Sequence, residues 1–457
     1  MWAINHRFKL LALTIATLLA LNDVLALRAF EAEAQAALPS CPEEAGVEYI
    51  FPSPRFSQDT TLFWIDSFGN TLWRSQDGGR SWLQMFRYTS DPVTVLIEQF
   101  EMVPHADDAD LTLFLGVENW THRSHHLFQS NNSGETWQER TPACSAGIYP
   151  DCPQFTLRAA GRTDVLFQPR LWFYNWSPLP FGIARSPDAG GTWDLIWEET
   201  EAWQVAVSPD YDYDQTLFAT LIGRSATLNT SFLITSDGGQ NWQAGGQGLC
   251  QQDFWHSDLQ VSPGFPRDHT LLIGLYRNSL FKSEDSGQSW RAIFPTGQVP
   301  ICDYSLTQLA SLQPRFAPGY PDDPTIYLGA NNGVYVSYDD GQHWLLLVES
   351  GTVFDIAISA NPPSTPGSAS IAEADGLANA TAKNNELTTL HYTFLPQVSV
   401  HGVGLAIKPY ALFVRAYLKG THDAYTYRSD DGGGTWRCIE PPRVQKRAYL
   451  PVLLKVR

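Results

Sequence analysis

Helical periodicity is almost missing from this chain beyond residue 40. Hardly any stretch sets apolar residues at i, i+3, i+4 and i+7, so helical bundles are excluded and short alternating strands remain. Positive charge is scarce as well: 30 Lys and Arg stand against 48 Asp and Glu, a net charge of −18. Phosphate recognition rests on a dense cationic field, so nucleic acid is excluded as a partner, and an anionic membrane surface is disfavoured. The acidic surplus reads first as the solubility of an exported protein, and second as an acidic calcium-binding face. No C-x-x-C pair occurs, which removes zinc ribbons and thioredoxin-like redox chemistry. His122, His125 and His126 in THRSHH form a weak metal pattern with no acid held beside them. Neither a metal nor any other cofactor is expected.

What the chain has in quantity is punctuation and large rings: 34 glycines, 30 prolines and 16 tryptophans, within 43% hydrophobic residues. Much of this is organised by one spaced octapeptide, Ser/Thr-x-Asp-x-Gly-x-x-Trp. It appears as SQDGGRSW at Ser75, SNNSGETW at Ser130, SPDAGGTW at Ser186 and TSDGGQNW at Thr235. It returns as SEDSGQSW at Ser283, SYDDGQHW at Ser337 and SDDGGGTW at Ser429. The third-position residues are Asp77, Asn132, Asp188, Asp237, Asp285, Asp339 and Asp431; only Asn132 is not an acid. The closing rings are Trp82, Trp137, Trp193, Trp242, Trp290, Trp344 and Trp436.

Successive copies start 48 to 56 residues apart, with one gap of 92. A unit of that length with several short strands matches a four-stranded propeller blade. A second signature precedes most copies, an Asp-x-Thr before an apolar run, as at Asp59, Asp110, Asp214, Asp268 and Asp323; Asp164 in DVLF is a worn copy. One unit therefore reads strand, Asp-bearing turn, apolar strand, loop, strand, octapeptide, strand. An Asp side chain accepts from backbone N–H groups downstream and closes a turn, and the fifth-position glycine supplies a positive φ. The tryptophan is expected to fold into the blade and bury about 150–250 Å².

The expected fold is all-β: a single propeller of four-stranded antiparallel blades over residues 37–442, with octapeptides in the strand 3–4 turns. Counting first-strand candidates favours eight blades, while the octapeptides number seven. The difference lies in the 92-residue gap, where VFDIAISA at Val353 and VGLAIKP at Val403 both read as first strands. Between them, residues 361–390 are either a low-complexity insert or, through SIAEADGL, a degenerate blade.

The N-terminus reads as a signal peptide over residues 1–36. Basic MWAINHRFK leads into LLALTIATLLAL, which is short for a bilayer crossing and is followed by Asn22-Asp23; Ala34-Gln35-Ala36 offers a cleavage site. An uncleaved anchor over Leu10–Ala29 is the rival reading. After cleavage no transmembrane span is expected, and the protein is placed outside the cell. In that compartment the six cysteines form an even set. The pairings proposed are Cys144–Cys152, Cys250–Cys302 and Cys41–Cys438.

The octapeptide resembles the Asp box, or BNR repeat, of bacterial sialidases. It also occurs in xyloglucan-cleaving endoglucanases, in the sortilin/VPS10 receptor propeller and in photosystem II assembly factors. The resemblance covers residues 43–440 and implies the fold strongly; it implies little about function, because these relatives do unrelated things on one scaffold. Sialidases place an arginine in a Phe/Tyr-Arg-Ile-Pro motif. No such motif exists here, and Arg55 in FPSPRF reads as the end of a first strand, so no catalytic residue is carried over. The endoglucanase cleft needs two propellers and this chain supplies one, while the assembly factors imply a basic patch. The tail at 443–457, with KRAYLPVLLKVR, resembles the Tyr-Leu-Pro endings of many secreted bacterial proteins, and reads equally well as a closing strand or a free tail.

In a four-stranded blade both Asp-bearing turns fall on one face. A ligand is therefore expected on the other, among the strand 2–3 loops and the connections between blades. Candidate ligand-binding residues there are Trp120, His122, Trp172, Tyr174, Trp176, Trp255 and His256. Rings beside polar groups suit sugars, since a ring stacks on the apolar face of a pyranose; packing among the loops themselves is the plainer explanation. For a hydrolase, Glu118, Asp253 and Asp258 are the only acids to nominate. The function expected is binding of a glycan or protein partner by a monomeric, secreted or surface-held bacterial protein. A sialidase-like glycoside hydrolase is the alternative, and a non-catalytic assembly or scaffold factor the second alternative.

Overall fold

The structure is a computed structural model that describes residues 36–41, 49–65, 70–88, 95–105, 110–119, 124–140, 158–159, 165–170, 182–249, 254, 257–275, 279–294, 312–360, 410–420 and 424–439. Seven four-stranded antiparallel sheets follow one another along the chain, over residues 49–87, 95–139, 158–197, 202–244, 258–294, 313–349 and 353–438. They are blades 1 to 7 of a propeller ring, each running from inner strand to outer strand in sequence order. Of the two counts, the ring has seven and not the favoured eight. Val353–Ala360 pairs with Tyr410–Tyr417, Ala360 opposite Tyr410, so the intervening residues enter between the first two strands of one blade. SIAEADGL and VGLAIKP lie outside the described residues.

Burial follows position in the blade. Second strands such as Leu62–Ile65, Leu217–Leu221 and Ile326–Ala330 are buried at every residue. Each is covered on both faces by neighbouring blades, and so reads as a continuous apolar run without alternation. The outer strand Leu83–Arg87 is half-buried or exposed throughout.

The two Asp-bearing turns of a blade are hydrogen-bonded to each other. Asp59 accepts from the Ser53 hydroxyl and the Thr61 N–H, both at 2.8 Å. In blade 4, Asp214 accepts from Ser208 at 2.6 Å and from the Thr216 N–H at 2.8 Å. One-turn helices, Phe56–Asp59 and Tyr211–Asp214, fill these turns and bury Phe56 and Tyr211. The octapeptide turn then docks on this one: the Gly78 N–H donates to the Thr60 carbonyl at 3.1 Å, and the Gly238 N–H to that of Gln215 at 2.9 Å.

Within the octapeptide, Asp77 Oδ1 accepts from the N–H groups of Arg80 and Ser81, both at 2.9 Å, and from the Ser75 hydroxyl at 2.8 Å. Ser75 Oγ in turn accepts from the Gly79 N–H. Asn132 fills the same place with its amide oxygen, accepting from the Thr136 N–H at 2.9 Å. The fifth-position glycine has positive φ in every copy, from 82° at Gly341 to 103° at Gly433, where a side chain would be strained.

The tryptophans depart from the expected plug within the blade. Only Trp290 is buried, at 7% exposure, and the other six are half-buried. Several reach sideways to the preceding blade. The indole N–H of Trp137 donates to the Met85 carbonyl at 3.1 Å, that of Trp242 to Ile196 at 2.9 Å and that of Trp344 to Ile293 at 2.9 Å. The residue before the octapeptide reaches the other way. Arg74 donates to the Ser133 carbonyl of blade 2, and buried Lys282 pairs with Asp340 of blade 6. Arg428 of blade 7 donates to the Gly78 carbonyl of blade 1 at 2.7 Å and so uses the same clamp to close the ring.

Closure has a second device. Ala36–Ala37 adds a parallel fifth strand to the outer edge of blade 6, opposite Val348 and Glu349. Leu38 is buried in the core shared by blades 6 and 7. Cys41 is then joined to Cys438 on the outer strand of blade 7, across 397 residues of sequence. The strap thus ties the edge of blade 6 to the outer strand of blade 7. Cys144, Cys152, Cys250 and Cys302 lie outside the described residues.

Candidate functional site at the axial mouth

First strands run toward the Asp-bearing turns, so their opening residues sit at the other mouth of the ring. Register aligns Tyr49, Gln204, Asp258, Gln313 and Asp355 at one equivalent place near that end. Neighbouring first strands are tied there: Gln204 donates to the Leu259 carbonyl at 3.0 Å and accepts its N–H at 2.8 Å, while the Trp203 indole donates to the Ser257 carbonyl at 3.0 Å.

Three charges from successive blades converge at this end. Arg315 of blade 6 donates to Asp258 of blade 5 at 2.5 Å and to Asp355 of blade 7 at 3.1 Å. Side-chain exposures of 12% for Asp258, 22% for Arg315 and 27% for Asp355 place them inside the ring without sealing them off. Burial works against the Arg315 charge, but the two carboxylates outweigh it and hold its pKa up. Burial pushes the Asp355 carboxyl up; Arg315 pulls it down and the Asp258 charge pushes it up again. Both partners of one ion pair thus move up, because a single guanidinium serves two carboxylates and leaves Asp355 short of full compensation.

Beside this cluster, Arg415 of blade 7 lies with its guanidinium carbon 4.6 Å from the Tyr49 ring centroid and 5.2 Å from that of Phe354. Tyr417 meets Phe354 edge-on at 4.5 Å. The Arg415 Nε is buried with no acceptor. Such stacking on ring faces stabilises a cation by about 0.5–2 kcal/mol without neutralising it.

Asp258 is the one nominated acid whose side chain is described, and it is an ion-pair partner on a first strand. Glu118 falls within the second strand of blade 2, Leu111–Asn119, opposite Leu96 and His125, and not in the loop beyond it. Blades 2 and 5 are three apart around the ring, so Glu118 and Asp258 do not stand as neighbours in one blade pair. Trp120, His122, Trp172, Tyr174, Trp176, Asp253, Trp255 and His256 lie outside the described residues. His126 is described: it meets Glu139 at 2.6 Å and the Tyr88 hydroxyl at 3.2 Å. Among the described residues no group of three or more His, Cys, Asp or Glu is placed to hold a metal. Nor is any helix among them long and apolar enough to cross a membrane.

Arg315, Asp355 and Arg415 were missed by sequence reasoning. Their signal was a charge inside an otherwise strand-like apolar run: QPRF, VFDIAISA and YALFVRAY.

No family model matches the chain, and no curated protein matches it. Solved propellers do. A GH74 xyloglucanase from Xanthomonas campestris aligns over 90% of this chain at 16% identity, with a TM-score of 0.39; the alignment spans 58% of that enzyme's length. YCF48 from Cyanidioschyzon merolae aligns over 70% of this chain and 93% of its own, at 12% identity and a TM-score of 0.42. Sqt1 from Saccharomyces cerevisiae aligns over 90% and 89%, at 8% identity and a TM-score of 0.46. At these values the likeness is one of fold, and nothing about the chemistry of this chain rests on it.

Proposed function

We propose that this chain is an exported Asp-box propeller that binds a glycan through the mouth opposite its repeated turns. One observation carries the reading: the two faces of the ring are chemically unlike. On the turn face, the aspartates are consumed by their own turns, and the turns by each other. At the other mouth, charged and aromatic side chains stand together, with Tyr49 41% exposed beside Arg415, Phe354 and the Asp258–Arg315–Asp355 cluster. The sequence candidates are assigned to this mouth from chain position alone. Trp120 follows the second strand of blade 2, Trp172, Tyr174 and Trp176 follow that of blade 3, and Trp255 and His256 precede Asp258. Rings offer stacking surfaces to pyranoses, and carboxylates accept their hydroxyls. Export fits a chain stapled by a disulfide.

The test is retention on a glycan array. The purified protein should be retained on a subset of glycans, and Tyr49→Ala, or Trp120→Ala with Trp255→Ala, should lose retention while melting at an unchanged temperature. Retention of the unaltered protein on no glycan overturns the reading.

The pairing of Asp258 and Asp355 across one arginine, with burial pushing the Asp355 carboxyl up, favours one second reading, a glycoside hydrolase, because such catalysis sets two carboxyl groups in unlike environments. Release of phenol from aryl glycosides, abolished in Asp355→Asn, would support it; no release across a broad panel removes it.

A further inference from the structure

The site of Arg415 is unusual within the molecule's own repeat. Aligning second strands on the pairing of each octapeptide Ser or Thr places Arg415 in register with Ile65, Gly116, Pro169, Thr220, Gly274 and Gly329 of the other blades. Two of these glycines admit the next blade. A Cβ on Gly274 would come within 2.2 Å of the Leu312 carbonyl, and one on Gly329 within 2.6 Å of Val353. At the boundary between blades 7 and 1, the same place carries the longest cationic side chain instead. The adjoining blade meets it with the Tyr49 ring, which is 41% exposed.

We infer that this boundary is a subsite for the carboxylate of a hexuronate residue, with Arg415 as its anchor. The inference deepens the glycan reading above and rests on it. Tyr49 and Phe354 cover the guanidinium, which leaves its edge as the donor surface, and that planar fork matches a carboxylate. Among the described residues Arg415 has no carboxylate partner, although Asp355 stands opposite it in register; Asp355 is engaged by Arg315. Both hydrogen bonds described for Asp355, from Arg315 and from the Ile356 N–H, fall on Oδ1. Its Oδ2 is therefore placed to accept a hydroxyl. An acid so near disfavours a phosphate monoester, which approaches two charges at neutral pH, and favours a singly charged group flanked by hydroxyls, of which the planar carboxylate matches the guanidinium fork. The net charge of −18 does not forbid this, since exposed charges farther than about 8 Å are largely screened at physiological salt.

Calorimetric titration separates the possibilities, using trigalacturonate, its methyl ester and a neutral galactose trisaccharide. The acid should bind about ten- to a hundredfold more tightly than the ester, the range expected for a charge-assisted pair. That difference should vanish in Arg415→Gln. Arg415→Lys keeps the charge without the fork and should recover only part of it, and this variant carries the test if Arg415→Gln melts early. Equal affinity for acid and ester, or an acid preference untouched by both variants, overturns the carboxylate subsite while leaving glycan binding standing. Failure of all three ligands, together with an empty glycan array, removes both.

Discussion

Replacing Cys41 and Cys438 with serine tests how this ring is held shut. The bond closes a loop of 397 residues, nearly the whole described chain. In the chain-entropy picture such a cross-link removes roughly 20 cal/mol/K from the unfolded ensemble, or about 6 kcal/mol at 25 °C. Measured disulfides commonly deliver less, and two other closures survive the substitution: the Arg428 clamp on Gly78 and the shared core of Ile50, Phe56 and Leu62 with Ala411 and Phe413. The expected loss is therefore about 3–6 kcal/mol. With a guanidinium slope of about 5 kcal/mol per molar, the midpoint should fall by roughly 0.6–1.2 M. Tryptophan fluorescence reads the transition, and limited proteolysis should find its first cuts near the N-terminal strap. Reduction of the native protein should reproduce both effects. Coincident unfolding curves for native and doubly substituted protein would refute the reasoning, and would mean that strap and clamp suffice.

Trp290→Ala, at the one fully buried octapeptide ring, should cost about 3–5 kcal/mol in denaturant unfolding. Trp82→Ala should cost about half as much, because that ring is half-buried and its N–H has no acceptor among the described residues; equal losses would contradict the placement between blades. Asp237 is held at about 2 by the Asn241 N–H and side chain, and Asp77 at about 2 because hydrogen bonds from Ser81 and Ser75 outweigh its burial. A depressed carboxyl contributes stability that is fully present above its unfolded value near 3.9 and is lost as pH falls toward the folded one. Melting temperature should accordingly decline between about pH 4 and pH 2, and Asp237→Asn, which copies Asn132, should flatten that decline at little cost at pH 7. Arg428→Met removes the donor to Gly78 while keeping bulk against Phe56 and Phe413, and should cost about 2–3 kcal/mol by thermal or denaturant melt.

The octapeptide was legible because its chemistry is local. Ser75, Asp77 and Gly79 satisfy one another within five residues, so seven copies announce seven turns without reference to the rest of the chain. The tryptophans were half legible: their apolarity was plain, but their partners, Met85 for Trp137 and Ile293 for Trp344, are about fifty residues upstream and belong to another sheet. The choice between seven and eight blades met a similar limit, and the favoured eight was the wrong one of the two. VFDIAISA has the letters of a first strand, and nothing local says that its partner begins at Tyr410.

The candidate site was illegible for a deeper reason, which the register explains. Repeated positions do repeated work, and a pattern search finds them by their sameness. Arg415 differs from all its register counterparts, Ile65, Gly116, Pro169, Thr220, Gly274 and Gly329. Arg315, by contrast, shares its place with Gln260 and Arg158, and Asp355 its place with Gln204 and Asp258. Arg415 therefore vanishes when the repeats are averaged and emerges only when they are subtracted, and the charges at the other two places recur too rarely to show as a repeat. In a closed ring this is the expected division, because the scaffold must be nearly symmetric to close, whereas a ligand without sevenfold symmetry can be recognised only where that symmetry is broken. The blade 7–1 boundary, which alone carries the arginine, is also the seam where the two ends of the chain meet.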